Sequence, residues 1–351
     1  MSVYISDGRI KNYSPRKKQT LEFLNRLKWK FIPYWTTLLY TLVVTDKCTL
    51  RCDHCFEEAS PDNKTFLNAD RVDRLAEESV PIFHKYPSRE IRITGGDPFL
   101  HQNLYDIIES FSKRKERLGY DCLDIETNGW WATDDKQTKK IVSTLKESGA
   151  TLLSMTVDYW HEKNSPFPNE QHLSRMLKIA EEVGLEARPI NLGMPNFKLK
   201  VHDNYIFPPP EVVPIGRARN LPEEYWGEHS MCRMQGCRLS PPTLGKVAGF
   251  VHSDKITVES DGNVYPCNSG KSFEHATLAL GNIYDKTLPE ILKDNKNSIV
   301  RLIKRKGVRA LTKIAGFSID EHYAMYDRFS PCGLCHEMLR KYGKEISDSL
   351  S

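Results

Sequence analysis

Three cysteines stand within eight residues, Cys48-Thr-Leu-Arg-Cys52-Asp-His-Cys55, and this C-x3-C-x2-C run constrains the chain more than any other feature. It follows an apolar, β-rich stretch, Leu38–Thr45. A strand that delivers three thiolates into one short loop suits an iron–sulfur cubane with one iron left open. An open iron binds and activates a ligand, so the loop implies chemistry rather than a staple. An odd count of nine cysteines in a long chain argues against a disulfide framework. The main rival is structural zinc, which wants four closed ligands. His54 is the nearest fourth, but between Cys52 and Cys55 it is awkward to turn inward with them.

A chain of 351 residues is long enough for one large domain or two ordinary ones. Its 39% hydrophobic and 27% charged content fits a globular enzyme. No apolar run reaches the length of a membrane span, and the N-terminus lacks a signal-peptide pattern. Unpaired thiols and an oxygen-sensitive cluster are expected in a reducing cytoplasm. A net charge of +4 is too slight to argue for nucleic acid. The basic segment from Arg16 to Lys30 reads as a solvated helix face that could meet an acidic peptide or a phosphate.

Residues 1–36 form this basic lead-in. Strands and helices then alternate. Strands are expected at Leu38–Thr45, Glu90–Thr94, Asp121–Thr127, Thr151–Val157 and Glu186–Ile190, and a last one at Val212–Ile215 after Pro208-Pro209-Pro210. Helices are expected at Asn68–Tyr86, capped by Asn68, and at Leu104–Leu118, Lys136–Ser148 and His172–Val183. Repeated βα units predict an α/β fold with a parallel sheet wound in one direction. The alternation stops near residues 221–230, which places a boundary between a domain at 37–228 and a smaller, cysteine-rich α+β domain at 229–351.

Thr94-Gly95-Gly96-Asp97-Pro98 follows the second strand and, by itself, would be an ordinary turn. After the cysteine loop at this distance, it resembles the radical S-adenosylmethionine (SAM) superfamily. The resemblance implies a partial (β/α)6 barrel and a [4Fe–4S] cluster on Cys48, Cys52 and Cys55. It further implies an open iron that chelates the SAM amino and carboxylate groups. One-electron cleavage of SAM then gives a 5′-deoxyadenosyl radical that abstracts hydrogen from substrate. By the same resemblance, Gly95, Gly96 and Asp97 hold the SAM amino group, although the usual acid there is Glu. Functional groups gather at the C-terminal ends of barrel strands. Asn128, Ser154 and Asp158 are therefore candidate SAM contacts, with a turn and an inward-alternating strand residue as the plainer readings of Asn128 and Ser154. Arg188 is a candidate partner for the SAM carboxylate, or else pairs with a neighbouring helix, and His161 is expected to be structural.

The second half has a different grammar. Ile256–Cys267 reads as a hairpin turned at Asp261-Gly262. Cys267, Cys332-x2-Cys335 and Cys237 upstream, with Leu280-Gly-Asn282-Ile283, resemble the twitch form of a SPASM-type domain that carries an auxiliary [4Fe–4S] cluster. Four such thiolates could equally bind zinc. Either Cys232 or Cys237 is the first ligand, which leaves the other free, while Cys122 reads as a small buried hydrophobe. Thr127-Asn-Gly-Trp-Trp-Ala, Asp158-Tyr-Trp-His161 and Pro214-Ile-Gly216-Arg217-Ala218 look like the branch that includes RiPP peptide epimerases. That resemblance implies hydrogen abstraction from an L-residue and return of hydrogen from a cysteine, with Cys232 the candidate donor. A flavodoxin- or ferredoxin-type electron donor is expected. The 47 residues before Cys48 are too few for a full leader-binding domain. Dehydrogenation of a sugar or aminocyclitol, peptide crosslinking and a zinc-stabilised binding protein stand as alternatives.

Overall fold

A computed structural model describes residues 36–167, 169–190, 212–226, 252–267, 277–294 and 296–350. Its frame is one sheet of eight strands in the order β5-β4-β3-β2-β1-β6-β7-β8. The strands are β1 (Thr36–Val43), β2 (Ser88–Thr94), β3 (Cys122–Thr127), β4 (Leu152–Thr156), β5 (Glu186–Ile190), β6 (His252–Val258), β7 (Asn263–Tyr265) and β8 (Gly281–Asn282). Every pairing from β5 through β1 to β6 is parallel, and the β6–β7–β8 edge is antiparallel. The fold is thus α/β, a partial (β/α)6 barrel with a smaller C-terminal part of helices and short strands.

Strand alternation separates two faces. Leu38, Tyr40 and Leu42 of β1 are fully buried against the outer helices. Leu39, Thr41 and Val43 turn to the inner side of the curved sheet. The outer layer is α1 (Ala69–Phe83), α2 (Leu104–Ser112), α3 (Lys115–Leu118), α4 (Asp135–Ser148) and, after the short α5 (Tyr159–Asn164) at the end of β4, α6 (Asn169–Val183). Side-chain carbonyls of Asn68 and Asp134 cap α1 and α4, as short polar residues do at helix starts. The single helix expected at Leu104–Leu118 is two. Arg114 lies at the break, and its guanidinium is clamped by Asp73 at 2.8 Å and Glu77 at 3.0 Å on α1.

The sixth parallel strand is not the one expected. Val212 makes only an isolated bridge to Trp226, and the chain then enters a 3-10 turn at Gly216–Asn220. Pro214 has no N–H to give a central ladder, which bars this segment from the sheet. β6 takes the place instead, with Leu39 opposite Lys255 and Leu42 opposite Val258. The hairpin read around Asp261-Gly262 is present, and its first strand is this sixth strand. Beyond it lie α7 (Leu288–Lys293), α8 (Ser298–Lys306), α9 (Arg309–Ile314) and α10 (Ile319–Asp348). α7 sends Leu288 and Ile291 into the first core, while α8, α9 and α10 surround a second one that includes Val300, Leu311, Leu334 and Met338. No described helix is long and apolar enough to cross a membrane.

At the end of β2 the chain turns tightly under the segment leaving β1. Gly96 N–H donates to Thr45 O at 2.8 Å, and Asp97 N–H donates to Lys47 O at 2.8 Å. A Cβ at Gly95 would lie 2.3 Å from Thr45 O, and one at Gly96 would lie 2.2 Å from Lys47 O. Both obstacles are backbone and cannot swing aside. Gly96→Ala should therefore lower the unfolding free energy by about 2 kcal/mol or more. Gly316→Ala, where nothing lies within 4 Å of the new carbon, should cost only the roughly 1 kcal/mol of its left-handed backbone. Urea unfolding of the two variants side by side measures the difference.

Candidate functional site

The loop that leaves β1 carries Cys48, Cys52 and Cys55 to the C-terminal edge of the parallel strands. All three thiols line a cavity of about 450 Å³ on the inner side of the sheet, together with Gly95, Gly96, Asn128 and Arg188. Cys48 and Cys52 are buried, and Cys55 partly so. Burial pushes the Cys48 thiol up to about 12, with the nearby Asp97 adding to it, and it raises Cys52 and Cys55 as well. Such thiols stay neutral unless a cation joins them, and metal binding is what would deprotonate them.

The geometry also separates the two metals. Among the described residues, His54, Asp158 and His161 are the only trio whose ligand atoms gather within 4.8 Å of one another. The three thiols therefore stand wider apart than ligands of a single zinc ion. A cubane spreads its cysteines over different irons, so three converging but separated thiols fit the cluster.

The loop is held from outside. The Arg217 guanidinium donates to Cys52 O at 2.9 Å and Ala59 O at 2.7 Å, and its backbone N–H donates to Cys55 O at 3.1 Å. The preceding Gly216 has φ +52°, and a Cβ there would sit 2.5 Å from Phe56 O. Pro214-Ile-Gly216-Arg217-Ala218 was legible as a motif, but its work as the clamp on the cysteine loop was not. From the other side, Asn128 Nδ2 donates to Thr49 Oγ1 at 3.1 Å and lies 3.5 Å from Cys48 Sγ.

Asp97 does not turn to the cavity. Its carboxylate is fully buried and accepts from Thr127 Oγ1 at 2.7 Å, Asn128 N–H at 3.0 Å and Phe99 N–H at 3.0 Å. The side chain thus ties the β2 turn to the end of β3, and contact with SAM through this carboxylate is not what the geometry offers. Gly95 and Gly96 do border the cavity. Their missing side chains are demanded first by the close passage of Thr45–Lys47, rather than by a ligand. Burial raises Asp97 to about 6, against the lowering effect of its hydrogen bonds.

The other candidates divide. Ser154 is fully buried, and its hydroxyl accepts from Arg188 Nε at 3.2 Å. Arg188 also pairs with Asp124 at 3.0 Å, a carboxylate on a strand of its own sheet rather than on a helix, while still bordering the cavity. Asp158 caps α5 through the His161 N–H at 2.9 Å, and its other oxygen lies 2.9 Å from His161 Nδ1. Burial alone would raise Asp158, but His161 and the more distant His54 together hold it below the usual carboxylate range. Its oxygens are thus engaged within the protein, and His161 both pairs with Asp158 and borders the cavity.

The inner face holds groups that motif reading passed over. Arg92 Nε lies 2.7 Å from Glu126 Oε1, the Thr41 hydroxyl is buried with no hydrogen-bond partner among the described residues, and Lys255 borders the same space. The signal was present as period-two alternation: Arg92 with Thr94, and Asp124 with Glu126, interleave with Ile91, Ile93, Leu123 and Ile125.

Of the second cysteine set, Cys232 and Cys237 lie outside the described residues. Cys267 ends the hairpin, and Cys332 and Cys335 sit one helical turn apart, both buried, on α10. Gly333 between them meets Pro214, whose Cγ would be 2.9 Å from an added Cβ, so this helix rests on the segment that clamps the first loop. Cys122 is partly buried, with the Thr151 hydroxyl 3.7 Å from its sulfur, which agrees with a small space-filling residue.

A model of the radical SAM superfamily matches residues 42–197, and one described as an iron–sulfur cluster-binding domain, SPASM, matches residues 250–314. YydG of Bacillus subtilis (strain 168), ascribed to peptide biosynthesis, is 21% identical over 325 residues, covering 85% of this chain and 91% of YydG. A GTP 3′,8-cyclase of Aquifex aeolicus (strain VF5) is 29% identical over 180 residues, covering 50% of each chain. The chain thus spans about half the length of the curated cyclases it matches. Among solved structures, BtrN in complex with AdoMet and 2-DOIA superposes with a TM-score of 0.48 at 17% identity, over 78% of this chain and 88% of that one.

Asp97 makes a testable contribution to this frame. It ionises near 6 in the fold, against about 3.9 in an unfolded chain. The folded chain holds the extra proton between those values, so this residue's contribution to stability falls as pH rises from about 4 to 6 and is flat above. Asp97→Asn should remove roughly 3 kcal/mol of that decline, read as a flatter plot of urea unfolding free energy against pH. The chain thus joins a radical SAM domain, matched over residues 42–197 and implying S-adenosylmethionine and a [4Fe–4S] cluster, to a SPASM domain, matched over residues 250–314 and implying auxiliary iron–sulfur binding.

Proposed function

We propose that this radical SAM enzyme modifies a ribosomally made peptide, converting an L-residue to its D-epimer. In this reading Cys48, Cys52 and Cys55 hold the SAM-binding cluster, and Cys237, Cys267, Cys332 and Cys335 hold the auxiliary one. The observation that carries it is the loop of three thiols, two buried and one partly so, opening onto the cavity inside the parallel strands, where a few charged and hydroxyl groups stand among apolar ones. Similarity to YydG over 91% of that protein's length supports a peptide as substrate.

When bound, the cluster and SAM supply hydrogen-atom abstraction. The chain's own residues prepare the site for it. Arg217 fixes the loop carbonyls, and so the places of the three thiols that would hold the cluster. Arg188 borders the cavity and is suited to an anionic carboxylate there. The Arg92–Glu126 pair, Thr41 and Lys255 offer both donors and acceptors, as backbone amides of a peptide require. The S–H of Cys232 returns a hydrogen atom to the opposite face of the substrate carbon, and the thiyl radical left behind takes one electron and a proton to become the thiol again. A flavodoxin- or ferredoxin-type donor in a reducing cytoplasm supplies the electrons.

Two experiments test this. Iron analysis after anaerobic reconstitution should give about eight irons per chain, and about four when Cys48, Cys52 and Cys55 are all alanine. A parent value near four that falls to none would remove the auxiliary cluster. Cys232→Ala should abolish the D-residue while substrate deuterium still appears in 5′-deoxyadenosine. A D-residue still formed would remove Cys232 as the donor, and an oxidised product formed equally by parent and variant would instead favour oxidation of the substrate radical.

A further inference from the structure

Asn128 stands against the first cysteine of the loop in an orientation its surroundings determine. Its Oδ1 accepts the Trp130 backbone N–H at 3.1 Å. Only oxygen can accept there, so the amide nitrogen must face the other way. On that side it meets Cys48 Sγ at 3.5 Å and Thr49 Oγ1 at 3.1 Å. The backbone of Asn128 is in turn held by Asp97, whose Oδ2 takes its N–H at 3.0 Å. Asp97 is itself hung from Lys47 O through its own N–H, one residue before Cys48. The amide is thus a buried N–H donor held at both ends and aimed at a sulfur.

A hydrogen bond to a ligating thiolate stabilises the more negative, reduced form of an iron–sulfur cluster and raises its potential. We infer that Asn128 sets the reduction potential of the SAM-binding cluster by donating its side-chain N–H to the Cys48 sulfur, with Asp97 as the positioning residue behind it. The inference rests on Cys48 being a cluster ligand. It makes Asn128 a residue that decides how readily the cluster accepts its electron, rather than one that holds SAM. The Leu50 backbone N–H also donates to Cys48 Sγ, at 3.4 Å, and it stays in place when Asn128 is replaced, so Asn128 is the variable part.

The test is an EPR-monitored redox titration of reconstituted protein, with iron counted in each sample. The cluster of interest is the one whose reduced signal changes when SAM is added. Asn128→Leu removes the donor, and Asn128→Asp keeps the shape but adds charge. Both should retain iron. Asn128→Leu should lower the reduced-to-oxidised ratio at a fixed poise at least tenfold, which is about 59 mV for a one-electron couple. Asn128→Asp should lower it further. Iron retained with unshifted midpoints overturns the inference, as does a shift in Asn128→Asp alone, which would be charge without hydrogen bonding. Loss of iron from both variants also overturns it, because Asn128 would then be a prop for the loop. A parent protein with no SAM-responsive signal would overturn the ligand assignment itself, and with it the inference.

Discussion

Two backbone hydrogen bonds, from Gly96 N–H to Thr45 O and from Asp97 N–H to Lys47 O, decide where the cysteine loop begins. They cross from the end of β2 to the segment that leaves β1, and they form only because neither Gly95 nor Gly96 has a side chain. Neighbouring parallel strands bring their C-terminal ends to one edge, but that edge alone does not aim a thiol. The crossing does so by fixing the residue before Cys48. From there the Asp97 carboxylate reaches Thr127 and Asn128, so the ends of β1, β2 and β3 become one unit.

The far side of the loop depends on a different part of the chain. Arg217 arrives more than a hundred and fifty residues later and donates to the carbonyls of Cys52, Cys55 and Ala59, with Gly216 allowing the close approach. The segment they belong to is also the one on which Gly333 of α10 rests. The helix that carries Cys332 and Cys335 therefore leans on the clamp of the first cysteine loop.

Local patterns in the sequence made much of this legible. Period-two strands, Asn68 as a cap and the Asp261-Gly262 turn each depend on neighbours a few residues away, and each is where it was expected. Long-range outcomes were harder. Val212–Ile215 has the composition of a strand, but Pro214 withholds a ladder hydrogen bond, and β6 pairs with β1 in its place. The motif at Gly95-Gly96-Asp97 identified the right turn but not its geometry: the carboxylate points into the protein because Thr127 and Asn128 offer it donors there. Arg92 and Glu126 were missed because a charged pair inside a sheet looks like surface until the strand order is known.

The central claim is that the loop at Cys48, Cys52 and Cys55 holds a cluster that acts on SAM. Anaerobic incubation of the reconstituted protein with SAM and dithionite, followed by chromatography for 5′-deoxyadenosine and methionine, tests it most directly. The account predicts both products in equal amounts from the parent protein and neither from Cys52→Ala. Products that persist at the parental rate in Cys52→Ala, or their absence from an iron-replete parent, would contradict it.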